Sequence, residues 1–146
     1  MHKGLCGFLA TAAILLGCSG EAPRNLSGTR DALAPCPDTP NCVSTKGQDP
    51  RHAMEPLPYM GTREMSRDRI LEILRGMKRA KVMESAADYI YARFTTRFFR
   101  FVDDVEFRFD NAARLVHFRS ASRVGYYDFG LNRRRMQKIS ELYLKK

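Results

Sequence analysis

Asp103, Asp104 and Glu106 place three carboxylates within four residues, and the arginines Arg119, Arg123 and Arg133 follow downstream. Ser120, Ser122, Asp128 and Asn132 lie among those arginines. Acids and guanidinium groups at this density support three kinds of chemistry. In the first, carboxylates and arginines pair bidentately and pin a glycine-containing loop, so the motif is a structural latch. In a strand, Asp104 and Glu106 point to one face and Asp103 to the other. A hairpin turn around Asn111 would then set Arg119 near the level of Glu106 to Asp104. In the second, Arg119, Arg123 and Arg133, with Asn132 at a helix N-terminus, receive a phosphate or carboxylate. The third is catalysis. Ser120 and Ser122 have His117 nearby, but no G-x-S-x-G elbow is present and the strand would separate them. Paired carboxylates serve glycoside hydrolysis only beside a sugar cleft, for which a domain this small has limited room. A metal site built from Asp103, Asp104, Glu106 and His117 lacks any recognised ligand spacing. The latch is the leading expectation, the anion pocket the functional one and a hydrolase the alternative. No catalytic residue, metal or cofactor is expected.

The elements that must position these groups are readable from periodicity. His52 to Tyr59 reads as an irregular edge strand, because its two prolines exclude a central one. Ser66 is a candidate N-cap for a helix running to about Arg79, with Ile70, Leu71, Leu74 and Met77 on one face and Arg67, Glu72, Arg75 and Lys78 on the wet side. Lys81 to Glu84 is a short strand. From Asp88 to Thr96 the residues alternate, Tyr89, Tyr91 and Arg93 against Ile90, Ala92 and Phe94. Phe98 to Val102 continues apolar, and Val105, Phe107 and Phe109 alternate with Glu106 and Arg108. The turn at Asp110-Asn111-Ala112-Ala113 leads to a return strand from Arg114 to Ser120. Asn132 is placed to cap a last helix with an apolar stripe of Met136, Ile139, Leu142 and Tyr143, and Arg133-Arg134-Arg135 would form its solvated first turn. The order β-α-β-β-β-β-α predicts an α+β fold, an antiparallel meander sheet with two helices packed on one face.

Charge and the N-terminus bear on location. The formal net charge is +9, yet Asn111 to Lys146 holds nine Lys/Arg against two acids, whereas Cys18 to Asp110 is nearly balanced. An apolar run from Leu5 to Leu16 is too short to span a bilayer comfortably and ends in Leu15-Leu16-Gly17-Cys18, which resembles a bacterial lipobox. Residues 1–17 are thus expected to be a lipoprotein signal peptide, with Cys18 as the lipidated residue. Residues 18–34 would form a flexible tether, reaching up to roughly 50 Å if extended. Residues 35–146 would form a single domain. Acylation anchors firmly, since each buried methylene contributes about 0.8 kcal/mol. Ser19 after the anchor points, by the sorting rule of well-studied Gram-negative species, to the periplasmic face of the outer membrane. In that compartment a basic chain has no nucleic acid to meet. The expected partners are the membrane, through the anchor, and an anionic lipid headgroup, peptidoglycan or another envelope protein.

Cys36 and Cys42 are the thiols left in the domain, and the compartment is oxidising. Prolines and turn residues between and beside them favour a tight loop, so a Cys36–Cys42 disulfide is predicted, stabilising by about 2 kcal/mol. A metal pair or a redox pair is the alternative, though the spacing fits neither usual pattern.

Three stretches, LAPCPDTPNCVST, FVDDVEF and RSASRVGYYDFGLNRRR, resemble the bacterial envelope family catalogued as domain of unknown function 1499. The resemblance runs from about Leu33 to Leu144. It rests on Cys36, Pro37, Asp38, Pro40, Asn41, Cys42, Asp103, Asp104, Glu106, Phe107, Arg119, Ser120, Ser122, Arg123, Gly125, Asp128, Gly130, Asn132 and Arg133. It implies a small exported or lipid-anchored protein, with relatives in plastids, and carries over no catalytic residue.

Overall fold

The computed structural model describes Leu26 and residues 32–145. The lipobox, Cys18 and most of the expected tether lie outside the described residues. Six strands and two helices follow one another as β1 (Cys42–Ser44), β2 (Leu57–Pro58), α1 (Arg63–Gly76), β3 (Ala80–Ser85), β4 (Tyr89–Thr95), β5 (Val102–Asp110), β6 (Leu115–Ser122) and α2 (Leu131–Leu144). They form one antiparallel sheet of order β1-β6-β5-β4-β3, with β2 also paired to β6. The α+β meander with both helices on one face is the architecture that the alternation predicts.

The longest strands are those with the cleanest alternation. Ile90, Ala92 and Phe94 of β4, Val105, Phe107 and Phe109 of β5, and Val116 and Phe118 of β6 all enter one core. Against this face α1 sets Ile70, Leu71, Ile73 and Leu74, and α2 sets Met136, Ile139 and Tyr143. Each fully buried large side chain of this set contributes about 1.5–3 kcal/mol through water exclusion.

Several boundaries differ from the sequence expectation, each for a local reason. Helix α1 begins earlier, because Thr62 is the N-cap and accepts from Met65 N at 3.2 Å. Ser66 lies inside the first turn, fully buried, accepting from Met60 N at 2.8 Å and donating to Thr62 O at 3.0 Å. The helix stops at Gly76 rather than Arg79, which adopts φ 64° and turns the chain into β3. Phe98 to Phe101 belong to the β4–β5 connection, not to β5, and Arg100 there takes φ 54°. Of the proposed edge strand Leu57–Pro58 pairs with β6, and Ala53 makes a single parallel bridge to Ser44.

Strand β1 is additional to the sequence expectation, since three residues carry no period. It is held by pairing to β6, with Cys42 opposite Ala121 and Ser44 opposite Arg119. The Cys36–Cys42 disulfide is formed, with Cα atoms 5.7 Å apart. Leu33 and Ala34, expected in the tether, are buried. Leu33 borders a cavity with Arg108, Asp110 and His117, while Cys36 is bonded to Cys42 opposite Ala121. The segment between them therefore runs along the sheet face that the helices leave uncovered.

Candidate functional site

The register of the β5–β6 hairpin decides where every motif residue goes. The turn after Asp110 aligns Asp110 with Leu115, and counting back pairs Glu106 with Arg119, Asp104 with Ala121 and Asp103 with Ser122. Directly opposed residues share a face, so the motif splits into two polar groups separated by the sheet. Asp104, Glu106, Arg119 and Arg123 lie on the face away from the helices. Asp103, Ser120 and Ser122 lie on the helix face with Asn132 and Arg135.

On the outer face, Asp104 and Arg123 form a two-pronged pair. Arg123 Nε donates to Asp104 Oδ2 at 2.8 Å and Nη2 donates to Oδ1 at 2.9 Å. Tyr91 donates to the same Oδ1 at 2.7 Å and accepts from Arg123 Nη2 at 2.9 Å. Both charged side chains are at most 5% exposed. The pairing raises the Arg123 pKa, chiefly through the hydrogen bonds to Asp104. Burial, reinforced by the hydrogen bond to Asp104, pushes the Tyr91 phenol up to about 12. One strand-step along, Glu106 is fully buried, accepts from Tyr89 at 2.8 Å and meets Arg119 Nη1 at 3.5 Å. Arg119 is the looser member, and its buried Nε has no hydrogen-bond partner.

On the helix face the hub is Asn132, with no exposed surface. Its Oδ1 accepts from Ser120 Oγ at 2.6 Å and from Arg135 Nη1. Its Nδ2 donates to Asn41 O at 3.0 Å, Ser122 Oγ at 3.0 Å and Asp128 Oδ2 at 2.9 Å. Arg135 also reaches Asp103 Oδ2 at 2.5 Å and stacks over the Phe94 ring at 4.7 Å. This network ties the disulfide loop, β6, β5 and α2 together.

Asn132 is not the cap of α2. Gly130, at φ 74°, occupies the N-cap position, and Asp128 supplies the capping carboxylate, accepting from Gly130 N at 2.9 Å and Asn132 N at 2.8 Å. The arginine run is not a solvated turn either. Arg135 is 8% exposed. Arg133 donates to Ala53 O at 3.1 Å and Arg51 O at 2.8 Å, fastening the β1–β2 connection. Arg134 is the exposed member.

The arrangement therefore does not gather Arg119, Arg123, Arg133 and Asn132 into one anion pocket, because the sheet stands between the first two and the last two. Nor can His117 serve Ser120 or Ser122. It shares a face with Arg108, its register partner, whereas both serines face the helices. Among the described residues, no three His, Cys, Asp or Glu side chains converge as metal ligands would. Three residues that complete the pairs were missed from the sequence, Tyr89, Tyr91 and Arg135. The two tyrosines were signalled by sharing the parity of Arg93, which lies opposite Asp104. Arg135 was signalled by following Asn132 at i+3, on the same helix face.

A cluster of another kind occupies the sheet end where β4 stops and β6 leaves. The β4–β5 connection exposes Phe98 (82%) and Phe99 (73%), and the β6–α2 connection exposes Tyr126 (69%) and Phe129 (78%). The two connections meet where Arg123 N donates to Val102 O at 3.0 Å. Residues 76–80, 95–101 and 123–134 at this end hold seven Lys/Arg and one acid, Asp128, which is engaged in capping. Residues 84–90 and 108–114, at the opposite end, hold two Lys/Arg and three acids.

Neither a curated protein nor a solved structure matches the chain. A family model does, over residues 32–142, a span that holds the disulfide loop, both polar networks and nearly all of α2. The chain belongs to the family described as protein of unknown function DUF1499.

Proposed function

We propose that this protein is a lipid-anchored, non-catalytic module of the bacterial envelope that binds an anionic component through the basic end of its sheet. The observation that carries the reading is the contrast between two sets of charges. Asp103, Asp104 and Glu106 are each 1% exposed or less and are matched inside the fold by Arg135, Arg123 and Arg119. A general acid or nucleophile must reach its substrate, and these groups do not. Lys78, Arg79, Arg97, Arg100 and Arg134, by contrast, are exposed at one end with few acids to offset them. A field of one sign at a surface attracts a ligand of the other. The lipobox-like Leu15-Leu16-Gly17-Cys18 supports the anchored, envelope-facing part of the proposal.

Two measurements test it. Cys18→Ala should abolish incorporation of labelled fatty acid and shift the chain out of the membrane fraction. Unchanged acylation would contradict the anchor. The full chain in neutral detergent should bind inorganic polyphosphate, weakening as salt is added. Arg97→Glu/Arg100→Glu/Arg134→Glu should lose that binding, and equal binding by the triple variant would overturn the anion-binding reading.

A further inference from the structure

We infer that the aromatic and basic end of the sheet docks onto the surface of an anionic lipid bilayer, with Phe98, Phe99, Tyr127 and Phe129 entering the interfacial layer and the arginines meeting lipid phosphates. The inference rests on the anion-binding reading above and names its ligand. Single exposed apolar side chains are ordinary on a protein surface, but this is a cluster. Phe99 stacks on Phe101 with centroids 5.5 Å apart, and Tyr127 meets Phe129 edge-on at 5.1 Å. Arg97 lies over the Phe98 ring at 5.5 Å. Aromatic rings with cations beside them match the layered chemistry of a bilayer surface, apolar just beneath the phosphates and anionic at them.

The same end offers a place for a headgroup. A cavity of about 350 Å³ is lined by Lys78, Arg79, Thr96, Arg97 and Arg134 among others. Two copies of this chain would not cover one another here, because each presents five exposed cations, Lys78, Arg79, Arg97, Arg100 and Arg134, against one acid, and like charges brought together oppose association. The length of the chain permits the orientation. From Cys18 to Ala32, fourteen residues reach up to about 48 Å when extended. Strand β5, at nine residues, spans roughly 30 Å. An anchor entering beside His117 and Asp110, at the far end of the sheet, is therefore long enough to let the aromatic end face the same membrane.

The chain contains no tryptophan, so one introduced indole reports its own surroundings. Full chains carrying Phe99→Trp or Ala112→Trp are reconstituted into vesicles of phosphatidylcholine alone or mixed with phosphatidylglycerol, with brominated acyl chains as quenchers. Ala112 is exposed in the turn at the opposite end. The expected result is a shift of the Phe99→Trp emission to shorter wavelength, with strong quenching, in the phosphatidylglycerol vesicles. The Ala112→Trp indole stays water-like. Adding Arg97→Glu/Arg100→Glu should lower the docked population about tenfold or more, as expected for losing two cations near a charged surface. Tyr127→Trp serves if Phe99→Trp does not fold. An indole as water-exposed at position 99 as at 112, quenching equal at both, or quenching indifferent to phosphatidylglycerol would overturn the docking. If polyphosphate binding persists in that case, the anion-binding reading stands and the ligand is an acidic molecule other than a bilayer. If it is absent too, both fall.

Discussion

Removing the Asn132 carboxamide should destabilise the fold by about 3–5 kcal/mol, from the following count of partners. In Asn132→Ala the Ser120 hydroxyl loses the acceptor it donates to at 2.6 Å, inside a fully buried site. One such orphaned donor costs about 1–3 kcal/mol. Arg135 Nη1, Asn41 O, Ser122 Oγ and Asp128 Oδ2 each lose one bond. Three of them keep a second partner, since Arg135 Nη1 still meets Ser120 Oγ at 3.1 Å, Asn41 O still accepts from Ser122 N at 3.0 Å and Asp128 Oδ2 still accepts from the backbone N at position 132 at 2.8 Å. Net losses of roughly 0.5–1.5 kcal/mol apply to these partial cases. The assay is equilibrium urea unfolding followed by circular dichroism, with the midpoint and slope fitted separately so that a change in denatured-state compactness is not mistaken for stability. Asn132→Asp is the informative companion. It keeps the acceptor for Ser120 and Arg135 but sets a carboxylate against Asp128 Oδ2, which the amide meets at 2.9 Å. Its stability should recover as pH falls and that contact protonates. A loss below about 1 kcal/mol for Asn132→Ala would refute the hub, because a buried amide with these partners cannot be dispensable.

Three further outcomes follow from local structure. Cys36→Ser/Cys42→Ser should cost about 2 kcal/mol in urea unfolding, the chain-entropy value for a short loop, and an unchanged midpoint would mean that the loop is held without the bond. Thr62→Ala should cost about 1 kcal/mol through loss of the cap to Met65 N, whereas Thr62→Ser, which keeps the hydroxyl, should cost little; equal losses would deny the capping role. His117 has its pKa lowered, chiefly by burial and also by Lys46. The native state then binds fewer protons than the unfolded one near and below pH ~6.5, so this contribution is present above that value and is lost as pH falls. His117→Gln should flatten the decline in melting temperature between neutral and mildly acidic pH, and an unaltered slope would contradict it.

How far the sequence reveals this protein depends on how local each feature is. The pairing level of Glu106 and Arg119 was legible because one tight turn fixes the register of both strands, and the opposite facing of Asp103 and Asp104 follows from the strand repeat alone. The disulfide was legible for a similar reason, its partners being six residues apart. The role of Asn132 was not. Its chemistry suits a cap, yet Gly130 at φ 74° occupies that position, Asp128 supplies the capping carboxylate, and Asn132 is left to point inward. Arg135 looked like one of three equivalent surface arginines, and only the docking of α2 on β6 and β1 brings it to Asp103. Strand β1 carries too few residues to show a period and exists through pairing with β6 nearly eighty positions away. The basic end was hidden for the same reason. Phe98, Phe99, Tyr126 and Phe129 are far apart in sequence from Lys78 and Arg79, and only the meander brings them to one end.

The central claim is that the Asp/Arg motif holds the fold rather than a ligand, and the pair Asp104–Arg123 tests it most directly. Both side chains are nearly inaccessible and are joined by two hydrogen bonds of 2.8 and 2.9 Å. The measurement is a double-mutant cycle of unfolding free energies for wild type, Asp104→Ala, Arg123→Ala and the double variant. Each single change strands a buried opposite charge and should cost about 3–5 kcal/mol, with the double variant costing clearly less than the sum of the two. Single losses below about 1 kcal/mol, or strictly additive ones, would mean that these charges are not a latch and are kept for something the fold does not itself contain.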